Sequence, residues 1–125
     1  MDAAEYALQQ LTTWPDLSPG PPSCDVGRAL VAGSNEIVHI HSARSADVHL
    51  TATVIRRMRG ELERSHELRL QGDSPWVTIR IESPSGARLL FTLTSLALHA
   101  HARREGDPVP AAPCSAAAGS PPAAM

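Results

Sequence analysis

The 125 residues have the length of a single domain, enough for an adequate but modest core. A formal net charge of -2, with every cation an arginine, excludes the polybasic tail that draws a protein to nucleic acid or to a membrane surface. Hydrophobic residues make up 42% of the chain but aromatics only 3%, so Leu, Val, Ile and Ala must fill the core, with Tyr6, Trp14, Trp76 and Phe91 as the only large rings.

Residues Ala3–Thr12 carry Tyr6, Ala7, Leu8 and Leu11 at helical spacing and are predicted as a short helix, ended at Trp14–Pro15 because a residue before proline leaves the helical region. Ser18–Ser23, with three prolines and a glycine, reads as a loop. A strand is expected over Val26–Ala32, a turn at Gly33–Asn35, and two further strands at Glu36–His41 and Asp47–Leu50. Thr51 has the position of a helix N-cap, and Val54, Ile55, Met58 and Leu62 mark a helix as far as Arg64. Its other face, with Arg56, Arg57, Arg59, Glu61 and Glu63, is a solvated charged surface.

Strands follow at Glu67–Gln71 and Trp76–Glu82, separated by the turn residues Gly72–Pro75. Ser83–Pro84 then combines a capping serine with proline at the first helical position and starts a helix running to about Arg103. Leu89, Leu90, Leu93, Leu96, Ala97 and Ala100 form its apolar side. His99 and His101, two residues apart, point in different directions and do not form a joint ligand set. From Glu105 the chain is rich in Pro, Ala, Gly and Ser and cannot offset its ordering entropy, so 1–104 is read as the domain, with a core at 26–102, and 105–125 as a disordered tail.

Cys24 and Cys114 lie in proline-rich surroundings and read as two reduced thiols. No run approaches the roughly 18 apolar residues of a membrane span, and Met1–Asp2 lacks the basic start of a signal peptide. A cytoplasmic location is therefore expected.

The element order α-β(3)-α-β(2)-α predicts an α+β fold of two layers, a five-stranded antiparallel sheet with all helices on one face. Val38/Ile40, Val48/Leu50, Leu68/Leu70 and Val77/Ile79/Ile81 would meet the helices. The opposite, open face would collect His39, His41, Asp47, His49, Glu67, Arg69, Trp76, Thr78 and Arg80. A β3–β4 loop centred on Arg44 would set His39 against His49 and His41 against Asp47.

Three imidazoles and a carboxylate on one hairpin suit two chemistries. His39, His41 and His49 could ligate a transition metal such as zinc, with Asp47 as a fourth ligand or a supporting partner. The same groups could act as general acids and bases, Asp47 raising the proton affinity of an imidazole and Arg80 holding an anion. Trp76 and Arg80 could stack on and pair with a planar anionic ligand, or anchor a protein partner. No G-x-S-x-G elbow, catalytic-cysteine context or phosphate-cradling glycine loop is present, and no cofactor beyond a metal is expected.

The segments Glu36–His41, Ala46–Thr51 and Trp76–Arg80 resemble a bacterial family known as the luciferase domain, over about residues 26–102. The element order is also similar to the YjbR-like and secretion-chaperone-like folds, an analogy of topology alone. The family resemblance implies no agreed activity for individual residues, and it does not imply light emission, since flavin-dependent luciferases are far larger barrels of eight strand–helix units. The expectation is a non-catalytic module that binds a small ligand or a protein partner through the open polar face, including self-association as a homodimer. A small metal-dependent or histidine acid–base enzyme is the alternative, and nucleic-acid binding a third choice.

Overall fold

A computed structural model describes residues 2–22 and 27–102. Nine elements follow in chain order: α1 (Ala3–Leu11), β1 (Ser18–Gly20), β2 (Arg28–Ala32), β3 (Asn35–Ile40), β4 (Ser45–His49), α2 (Ala52–Glu63), β5 (Leu68–Leu70), β6 (Trp76–Arg80) and α3 (Pro84–Ala102). Cys24, Val26, Arg103, Arg104, Cys114 and the tail expected from Glu105 lie outside the described residues.

The fold is α+β, and the described residues form a sheet of six antiparallel strands in the order β1-β2-β3-β4-β6-β5 and three helices. The predicted count of five strands is corrected to six by β1, which pairs Ser18 with Val31, Pro19 with Leu30 and Gly20 with Ala29. Its Ser-Pro-Gly sequence reads locally as a loop. Proline, lacking an N–H, fits a sheet only where no ladder bond is required of it, and β1 is an edge strand that meets this condition.

Two helix starts follow from single capping side chains. The Thr51 hydroxyl accepts from Val54 N at 3.3 Å, and the Ser83 hydroxyl accepts from Gly86 N at 3.0 Å, each satisfying one of the orphan donors of a first turn. One core then takes Ala7 and Leu11 from α1, Ile55 and Leu62 from α2, and Leu90, Leu93 and Ala97 from α3. Against them pack Leu30, Val38, Ile40, Ala46, Val48, Leu50, Val77, Ile79 and Ile81, the alternate positions of the central strands. These are the sheet residues whose period of two assigns them to the helix side.

Between β2 and β3 the register slips: Leu30 faces Val38 but Val31 faces Glu36, leaving Ile37 as an extra residue. Such a bulge lets Ile37 enter the core while the strand resumes its alternation at Val38, which turns His39 to the other side. Among the described residues no helix is long and apolar enough to cross a membrane.

Candidate functional site

The sheet order decides which polar side chains meet. Because β6 lies beside β4, three cross-strand rows of polar residues form on the sheet. In the first, His41 N donates to Ser45 O, Ser45 faces Arg80, and Arg80 N donates to Glu67 O at 2.7 Å. In the second, His39 faces Asp47, Asp47 faces Thr78, and Thr78 faces Arg69. The third pairs His49 with Trp76.

This register corrects the predicted one. His39 lies opposite Asp47 rather than His49, and the loop is centred on Ala43 rather than Arg44. A slip of two residues leaves every side chain on its own face, so hydrophobic alternation cannot detect it. The turn decides instead: Arg44 N donates to the Ser42 hydroxyl at 3.1 Å, and Ser42 N reaches Ser45 O at 3.4 Å, closing the loop two residues earlier on its C-terminal side.

In the second row His39 Nδ1 stands 3.5 Å from Asp47 Oδ2 with both side chains fully buried, and the Thr78 hydroxyl donates to Asp47 Oδ1 at 2.7 Å. Gln71 Nε2 in turn donates to Thr78 Oγ1. A carboxylate only accepts, so the Thr78 proton points at Asp47 and the Gln71 amide must present its NH2 group. The His39 and His41 rings meet edge-on with centroids 5.0 Å apart. Burial, and then the neighbouring His39, push the His41 imidazole below its ordinary value of 6.5, with Asp47 pulling the other way.

The predicted open face is closed at its histidine end. His39 and Asp47 have no exposure, and His49 and Trp76 retain 1% each. At His49 the described cause is α3, whose His101 is buried against it with ring centroids 4.4 Å apart. His101 Nε2 donates to the His49 carbonyl at 3.0 Å and also meets His49 Nδ1. The Trp76 ring stacks edge-on to the other side of His49 at 5.1 Å. A tryptophan and imidazoles carry large apolar surfaces as well as polar edges, which favours enclosing them.

The residues predicted as one site thus divide. His39, His41 and Asp47 form one buried group, His49 and Trp76 a second with His101, and Arg80 stands exposed on a separate groove. Among the described residues no group of three His, Cys, Asp or Glu is arranged to hold a metal ion.

That groove, of about 460 Å³, is lined by Arg44, Arg69, Arg80, Glu67, Glu82 and Thr78, together with Ser45, His66 and Leu68. Thr78 and Arg69 belong to both the groove and the second row, and of the two it is Thr78 that bonds the buried Asp47. Arg44 and Glu82 stand 3.6 Å apart at the rim, and Glu67 accepts from the Ser85 hydroxyl at 3.0 Å.

Sequence reasoning assigned Arg69 to this face but not to the site, and it missed Arg44, Gln71 and His101. Arg44 sits in a turn, where periodicity carries no facing information, whereas Gln71, the last residue of the strand expected over Glu67–Gln71, alternates with Glu67 and Arg69 and so had a signal. His101 had a signal: Leu90, Thr94, Ala97 and His101, all buried, continue one helical stripe to its end.

A family model described as the Luciferase domain matches residues 34–97, from the turn before β3 into α3. No curated protein and no solved structure matches the chain.

Proposed function

This chain belongs to the luciferase-domain family, and from that premise we propose that it is a non-catalytic binding module taking a small anionic ligand in the groove on the polar side of its sheet. The observation that carries the reading is the convergence of Arg44, Arg69 and Arg80 on one open groove of about 460 Å³. That volume suits a small molecule, and guanidinium groups recognise carboxylates and phosphates in a fixed, two-pronged geometry. Binding without catalysis is favoured by the order of the second row. The Thr78 hydroxyl gives its proton to Asp47 Oδ1, and His39, the group that could act as a general base, stands on the far side of that carboxylate.

The test is titration of untagged protein with acetate and with inorganic phosphate, followed by the amide signals of Arg69, Thr78 and Arg80. Arg80→Ala and Arg69→Ala should each weaken binding about tenfold, in line with the loss of a charge-assisted hydrogen bond. Unchanged affinity in both variants would remove the groove from consideration.

A histidine acid–base or metal-dependent enzyme on His39, His41, Asp47 and His49 is the second reading, favoured by the buried His39–Asp47 pair. Elemental analysis of untagged protein tests it. Near-stoichiometric zinc or another transition metal, lost in His39→Ala, would overturn the non-catalytic reading.

A further inference from the structure

Resting on the groove reading, the chemistry at Thr78 narrows the ligand further. The Thr78 hydroxyl has one proton and two lone pairs. Its proton is committed to Asp47 Oδ1, and one lone pair receives the Gln71 Nε2 proton. Only an acceptor remains. Asp47, fully buried and paired on its other oxygen with His39, fixes the hydroxyl in this sense, since a carboxylate cannot return a proton to it.

The charge of the groove restricts the anion. Three arginines against the two glutamates Glu67 and Glu82 leave a single net positive charge, which complements a monoanion better than a dianion. Arg44 already has Glu82 beside it, so Arg69 and Arg80 are the cations left for a ligand. They flank Thr78 on the same face, Arg69 directly across the β5–β6 pair and Arg80 two residues along β6.

We infer that the groove takes a small monocarboxylate that also carries a hydroxyl group, its carboxylate held by Arg69 and Arg80 and its hydroxyl donating to Thr78 Oγ1. Thr78 is then the residue that distinguishes such a ligand from a plain carboxylate of the same skeleton. A plain carboxylate would place an apolar carbon against this half-buried acceptor and leave it without a partner.

The experiment compares acids with one carbon skeleton. Propionate and glycerate, and separately hexanoate and gluconate, are titrated into the full chain while the amide signals of Arg69, Thr78 and Arg80 are followed. The hydroxylated acid of each set should bind about tenfold more tightly than its plain counterpart, the worth of roughly one hydrogen bond. Thr78→Val should erase that preference while keeping carboxylate binding, and Thr78→Ser, which restores the hydroxyl, should retain it. Equal binding of plain and substituted acids, lost in Arg80→Ala, would overturn this inference and leave the groove reading standing. A preference that persists in Thr78→Val would overturn it as well. Absence of binding by every acid would overturn both. The wild-type comparison decides between these outcomes even if Thr78→Val does not fold.

Discussion

Thr51 joins β4 to α2 at φ 82° and ψ 150°, a backbone region that a β-branched residue occupies only under strain. It is held there because its hydroxyl caps α2 and its N–H bonds to Pro75 O at 3.2 Å. Thr51→Ala removes the cap and keeps the strain, so it should cost about 1 kcal/mol or more. Thr51→Gly removes the cap but relieves the backbone, and should be the more stable of the two variants in urea denaturation. His41 makes stability depend on pH. Its imidazole is less basic folded than unfolded, so below 6.5 the unfolded chain binds more protons and stability falls as the pH drops. Denaturation midpoints at about pH 7.5 and about pH 5.5 should therefore differ in this direction, and the difference should shrink in His41→Gln.

At the scale of elements, two helical glycines separate packing from propensity. A Cβ at Gly86 would lie 2.0 Å from Arg80 O, so the first turn of α3 passes over the end of β6 at a distance only glycine permits. Gly86→Ala should destabilise by about 2 kcal/mol, because backbone and not a flexible side chain must move. A Cβ at Gly60, in the exposed middle of α2, meets only the tip of Arg64 at 3.9 Å. Gly60→Ala should stabilise by about 0.5–1 kcal/mol through helix propensity alone. Opposite shifts in melting temperature for the same chemical change would check both. At the other end of α3, the hydrogen bond from His101 to the His49 carbonyl ties the helix to β4 and encloses the histidine end of the site.

For the molecule as a whole, the consequential step is the crossover that places β6 rather than β5 against β4. It puts Ile79 between β4 and β5, facing Ala46 and Leu68, with no exposure, whereas Leu70 lies on the edge strand and is half-buried. Ile79→Ala should cost about 3 kcal/mol and Leu70→Ala only about 1 kcal/mol, since the edge can relax and hydrate. The same crossover sets Thr78 between Asp47 and Arg69 and so connects the buried carboxylate to the open groove. Ligand affinity in that groove, between exposed charges, should fall as salt is raised from low to physiological concentration.

The helices, five of the strands and the polar face were legible in the sequence because each rests on local rules. Thr51 and Ser83 cap, Val38/Ile40 alternate with His39/His41, and the apolar stripes of α2 and α3 keep helical spacing. β1 was not legible, since Ser-Pro-Gly becomes a strand only through its partner β2. The two-residue register of the hairpin was not legible either, because an even slip preserves every face. Alternation alone assigns His39, His41, Asp47, His49, Trp76 and Arg80 to one side of the sheet; in the strand register His39 faces Asp47, His49 faces Trp76 and Arg80 faces Ser45, and His41 follows the end of β3. Their division into a buried carboxylate row, a Trp76–His49–His101 cluster and an arginine groove was decided by strand order and by the reach of α3. Alternation determines the face a side chain takes; only long-range pairing determines its neighbours and whether water reaches it.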